Sequence, residues 1–226
     1  GSSQFETWDP KPGSPKGGPF STIPTSIPGL HISELMPKMA KRMHQTCLIR
    51  SLNTKDSGHD SASALIMRGR KDEPSLKYPD MGAILAKELA RTDSKVPDYV
   101  SFYSQTEGRN FSKLTPSFLG ARYAPMELSD HMTPPNLKRL QELSEIAHLS
   151  RADLQQVLSQ QFASQHSSDM VKSHASAFAR AQGLMSSESL FDVEKEPRSI
   201  REKYGPTQFG KQMLMARRLC EAGCGF

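Results

Sequence analysis

Apolar and polar positions change period several times along the chain, and each change marks an element. Ser33 offers an N-cap and Glu34 suits a first helical turn, while Leu35, Met39 and Met43 recur on one face. That spacing predicts a helix to about residue 46, with Pro37 tolerated near its start. Cys47–Leu52 then reads as a strand, followed by a polar turn from Asn53 to Gly58. In the next segment Ala62, Leu65 and Ile66 return at helical spacing, giving a helix over His59–Met67 that Gly69 ends. Asp80 caps a further helix, Met81–Arg91, with Ile84, Leu85 and Leu89 inward. Tyr99–Tyr103 is a run of strand formers.

Residues 104–135 carry no sustained period, and a connection of that length is uncommon unless it covers a site. Beyond it the pattern is mostly helical, over 134–222. Pro134 and Pro135 open a helix at Asn136–His148, and Ser150 caps another from Arg151 toward Gly183. Ser187–Val193 and a piece starting at Pro197 are short, and Tyr204-Gly205 breaks the latter. The last helix, Thr207–Ala222, has Phe209, Met213, Leu214 and Leu219 available for burial, and Cys224–Phe226 opens a strand. Alternating helix and strand predicts an α/β fold with a mainly parallel sheet.

Composition changes this picture in two ways. The hydrophobic share is 36%, and 16 Pro and 15 Gly imply long loops, most densely over residues 1–30. For 226 residues one domain is the default. No run approaches the length of a membrane span, and residues 1–30 do not read as a signal peptide. Net charge is +5, but the basic residues are scattered and accompany no nucleic-acid-binding motif, so nucleic acid is not an expected partner. Cys220-x-x-x-Cys224 lacks a second ligand pair for a zinc site.

Candidate chemistry lies on loops. Glu6, Trp8, Asp9 and Lys11 put two carboxylates, the only Trp and a cation together near the start. The alternative is a turn with Trp8 closing the edge of a core, which is the favoured reading for Trp8. His59 stands where a polar turn meets a helix N-terminus, a usual place for chemistry in α/β proteins, or else it caps and packs locally. Ser3, Glu6, Asp9, Asp56, His59 and Asp60 are hard oxygen and nitrogen donors that would suit metal-assisted hydrolysis. Among them Ser3 and His59 are the candidate catalytic groups, and Glu6, Asp9 and Asp60 the candidate metal ligands. Arg122, whose planar fork pairs two oxygens, and Lys11 are the candidates for an anionic substrate; a surface salt bridge is the other account of Arg122. His166 and His174 stand eight apart, about 80° around a helix, and read as solvated. No Gly-x-Ser-x-Gly elbow, phosphate-binding loop, dinucleotide fingerprint or His-Glu-x-x-His is present.

Four segments together carry a family resemblance. Gly1–Pro12 resembles an opening Gly-Gly-x-Ser-x-x-Asp/Glu-x-x-Asp-x-Lys-Pro loop, and Ile27-Pro28-Gly29 through Leu48-Ile49-Arg50-Ser51 and His59 is similar to a second block. Phe118–Pro125 resembles a Leu-Gly-x-x-Tyr-x-Pro block, and Tyr204-Gly205 through Gly223 resembles a helix preceding a core strand. The family is the bacterial domain of unknown function 1501, grouped with the alkaline phosphatase and sulfatase superfamily. The resemblance implies a three-layer, mainly parallel sheet flanked by helices, of which residues 1–226 are a single partial domain, truncated at both termini. It also implies a phosphate- or sulfate-ester hydrolase using zinc, calcium or magnesium, exported to the periplasm or cell surface. A non-catalytic exported module holding an anionic glycan or a protein partner is the alternative. No Cys- or Ser-x-Pro-x-Arg segment for a formylglycine nucleophile is present. Three expectations follow: Ser3, Glu6, Asp9 and His59 lie together at one end of the sheet; the isolated fragment folds poorly; and it does not hydrolyse esters.

Overall fold

The first ladder forms where proline is densest. The computed structural model describes residues 4–71, 73–89, 96–102, 114–128, 132–134, 137, 144–166, 171, 178 and 181–226, and the chain divides into two units, Gly1–Asp56 and Ser57–Phe226. In the first unit β1 (Thr22–Pro24) pairs antiparallel with β2 (His31–Ser33), Ile23 opposite Ile32. Pro24 is tolerated because a two-stranded sheet is all edge. A short helix α1 (Pro37–Ala40) and a 3₁₀ turn at Met43–Gln45 follow. Buried Ile32, Ala40 and Met43 form the core, and Trp8, Ile23, Leu30, Met39 and Leu48 pack against it. Trp8 therefore closes a core edge, as its sequence context suggests.

Two sequence expectations fail in this unit. Ser33 does not cap a helix through residue 46; it ends β2, and its hydroxyl accepts from Leu35 N at 3.4 Å. Pro37 has no amide donor and forces Met36 out of the helical region (φ −121°, ψ 51°), so no helix begins earlier. Arg42 then leaves helical geometry (φ −110°, ψ 7°), and the expected long helix becomes two short turns, with Leu35 exposed. Cys47–Leu52 is not a strand either. Leu48 packs on the core while Ile49 and Leu52 point to solvent, and Arg50 ties the segment down through two carbonyls instead of a ladder.

In the second unit α2 (His59–Arg68) ends at Gly69, whose left-handed φ of 74° and bond to Leu65 O close the last turn. The helix α3 (Met81–Glu88) starts as expected: Asp80, 1% exposed, accepts from Ala83 N at 3.0 Å. Its buried face is Gly82, Ala83 and Ala86, while Ile84 and Leu89 are exposed. At Gly82 the Tyr99 ring lies directly on the helix. A Cβ on Gly82 would stand 2.3 Å from Tyr99 Cζ, so only glycine fits.

The strand β3 (Val100–Phe102) pairs parallel with β4 (Met126–Leu128), Ser101 opposite Glu127. On the other edge of β3, Val100 N donates to Phe226 O at 2.9 Å and Phe226 N to Asp98 O at 3.1 Å. That is the slanted bonding of a parallel bridge. β3 is thus hydrogen-bonded on both sides.

The helix α4 (Glu145–Gln165) is capped by Ser144 and runs unbroken through Ser150, where the sequence suggests a new start. The shorter α5 (Arg198–Tyr204) and the last helix α6 (Gln208–Glu221) complete the unit. Thr207 caps α6 by accepting from Gly210 N at 3.1 Å. Leu214, Met215 and Leu219 pack with Leu128, Phe191 and Val193 into the core. Phe209, expected inward, is 68% exposed, since it lies about 140° around the helix from Leu214. The described residues are thus helices with two two-stranded sheets, one antiparallel and one parallel, consistent with the α/β class. No helix among them is long and apolar enough to cross a membrane.

Candidate functional site

The best-defined candidate is the opening loop of the first unit. A 3₁₀ turn at Gln4–Glu6 lets Asp9 N donate back to Gln4 O at 2.8 Å, which folds the carboxylate inward until the residue is 9% exposed. Lys11 Nζ approaches Asp9 Oδ1 at 2.8 Å and Arg50 Nε approaches the same oxygen at 3.4 Å. Arg50 Nη2 also donates to Trp8 O at 3.0 Å and to His31 O at 2.8 Å. One guanidinium therefore joins the opening loop, β2 and the 47–52 segment. Among the described residues Asp9 Oδ2 has no partner, so one oxygen of a charge-clamped carboxylate is available. Glu6 lies against Gly18, where an added Cβ would come within 2.9 Å of its carboxylate.

His59 and Asp60 are the first two residues of α2, in the second unit, and both are exposed. Asp60 complements the positive end of the helix dipole, which accounts for its place without a ligand. Arg122 sits in a 3₁₀ turn, Ala121–Tyr123, with its guanidinium 5.7 Å from the centre of the Tyr123 ring. Ser3 lies outside the described residues, as do Tyr103 and His174. Glu6, Asp9 and Lys11 thus share the first unit, whereas His59, Asp60 and Arg122 belong to the second. Among the described residues no group of three or more His, Cys, Asp or Glu stands close enough to hold a metal ion.

Three polar centres lie outside the residues that the sequence offers as candidates for chemistry. Arg50 is one; its only sequence signal is its place in the Leu48–Ser51 block. Asp80 is the second: beside its cap bond, its Oδ2 accepts from Thr115 N at 2.7 Å and its own amide donates to Thr115 O at 3.1 Å. It pins the start of α3 to the 114–128 segment. Burial, with the Asp80 charge beside it, pushes the Tyr99 hydroxyl well above the usual tyrosine range. The third is Glu196, which pairs Arg217 Nη2 at 2.8 Å and Arg218 Nη1, while Arg218 also donates to the carbonyls of Leu190 and Ser189 at 2.8 and 2.9 Å. Burial alone would raise the Glu196 carboxyl, but the hydrogen bonds and charges of Arg218 and Arg217 outweigh it and hold its pKa below the ordinary value.

These features define an α/β protein with a parallel strand pair and a clamped aspartate on a Pro/Gly-rich loop. The chain belongs to the family described as protein of unknown function (DUF1501), whose model matches residues 1–226. No curated protein and no solved structure matches the chain.

Proposed function

We propose that the full-length protein is a hydrolase of phosphate or sulfate esters, metal-dependent, on a three-layer α/β fold of the alkaline phosphatase and sulfatase kind. The observation that carries the reading is Asp9, a nearly buried carboxylate oriented by two cations through one oxygen, with the other left without a partner among the described residues. The parallel pairing of β3 and β4 supports the fold part of the reading. Ser3 and His59 are the proposed catalytic groups, Glu6, Asp9 and Asp60 the proposed ligands of zinc, calcium or magnesium, and Lys11 and Arg122 the proposed contacts to the ester's anionic oxygens. The described residues alone do not hold such an ion: no three donors converge, and Lys11 and Arg50 already place positive charge on Asp9. The metal would supply Lewis-acid activation of the ester. Lys11 and Arg122 would attract and orient the anionic substrate. The proposed location is the periplasm or cell surface.

The second reading is a non-catalytic module for an anionic glycan or protein partner, favoured by the same two cations gathered at the opening loop. Metal analysis of the full-length protein separates the two. Stoichiometric zinc, calcium or magnesium is expected for the hydrolase. A metal-free protein that still retains a sulfated glycan would replace it with the binding module.

A further inference from the structure

The corner where α5 turns into α6 encloses a cleft of about 630 Å³, inside the ~300–1,000 Å³ range of small-molecule sites. Val193, Pro206 and Leu214 supply apolar wall. Three cations, Arg198, Arg201 and Lys211, line it together with two carboxylates, Glu194 and Glu202. The carboxylates are already engaged: Arg198 Nε pairs Glu202 Oε1 at 2.7 Å, and Arg201 Nη1 pairs Glu194 Oε2. Lys211 is left over, its ammonium without a hydrogen bond or ion pair among the described residues. Arg201 Nε is a second unsatisfied donor, buried with no hydrogen-bond partner, an arrangement that native proteins rarely leave without a ligand or water. Lys211 also stands in the first turns of α6, where the helix dipole adds charge of the same sign.

We propose that this cleft binds a small organic carboxylate. Three cations against two carboxylates leave one positive charge, which matches a monoanionic head on Lys211. The apolar body of the ligand would lie against Val193, Pro206 and Leu214. The inference does not rest on the hydrolase reading and uses none of its residues.

The test is titration of the full chain with 4-phenylbutyrate, its amide and inorganic phosphate, followed by calorimetry and by NMR. Saturable one-to-one binding of the carboxylate is expected, with the amide weaker by about tenfold or more and phosphate not competing. Lys211→Met should weaken the carboxylate by a similar factor and Lys211→Arg should restore most of it, while Lys87→Met, outside the cleft, should change nothing. Should Lys211→Met not fold, the comparison of carboxylate with amide on the unmodified chain still decides. Equal binding of the amide, displacement by phosphate, no saturable binding, or indifference to Lys211→Met would each overturn the proposal.

Discussion

Gly210→Ala tests the packing that builds the α5–α6 corner. A Cβ at this position would stand 2.2 Å from Tyr204 O and 2.9 Å from Gly205 O, both main-chain atoms. Ordinary carbon–oxygen contacts begin near ~3.3 Å, so the end of α5 must retreat by about 1 Å. A side chain could rotate aside; a carbonyl cannot without moving its helix. Overpacking of this kind costs about 1–3 kcal/mol, and alanine returns at most about 1 kcal/mol of helix propensity. A 2.2 Å approach to a main-chain oxygen puts the cost at the upper end of that range, so the expected net loss is about 1–2 kcal/mol, or a fall in Tm of roughly 4 °C for a protein of this size. Thermal unfolding by circular dichroism reads the total, and hydrogen exchange over residues 198–221 reads the corner itself. Gly69→Ala is the control, since its Cβ meets nothing within 4 Å and only its φ of 74° is strained. A Gly210→Ala protein as stable as the parent, with unchanged exchange, would refute the close-approach reasoning.

Three further outcomes are expected. Asp80→Ala should cost about 2–4 kcal/mol in urea unfolding, because it removes a cap and strands Thr115 N; Asp80→Asn should recover part of it. Arg50→Met should loosen the first unit by about 1–3 kcal/mol, seen as faster exchange at residues 31–33, since it frees Trp8 O and His31 O. Glu196 has a folded pKa below its unfolded value, so its contribution is full at neutral pH and is lost as pH falls below about 4.3 through the lowered folded value. Glu196→Gln should therefore be less stable than the parent at pH 7 and nearly equal to it at the acid end of a stability–pH profile.

Helix starts set by local chemistry were legible in the sequence. Asp80 caps where its residue type and the following pattern place it, the last helix starts one residue after the expected Thr207, and Gly69 closes α2. Burial was less legible, because it depends on partners far along the chain. Ile84 and Leu89 look like the inner face of α3, yet the buried residues are Gly82, Ala83 and Ala86, and at Gly82 the Tyr99 ring leaves no room for a Cβ. Strands were hardest to place: β1 carries a proline, and β2 and β4 are three residues each, too short to show a period. The apolar run at Cys47–Leu52 finds no pairing partner and is held by Arg50 instead. In the candidate site, Asp9 and Lys11 were legible from their shared loop, whereas the pairing of Arg50 with Asp9 spans 41 positions and leaves no local pattern. The cleft residues Arg198, Arg201 and Lys211 read as solvated charge until the fold brings them to one wall.

The role proposed for the Asp9 loop is metal-dependent ester hydrolysis. Its most direct test is turnover of a phosphate monoester and a sulfate monoester by the full-length protein, before and after chelation, beside the Asp9→Asn variant. Hydrolysis of one of the two esters is expected, lost with the chelator, restored by zinc, calcium or magnesium, and reduced by about 10²-fold or more in Asp9→Asn with folding intact. Hydrolysis of neither ester under any metal, or turnover equal in Asp9→Asn and the parent, would contradict it.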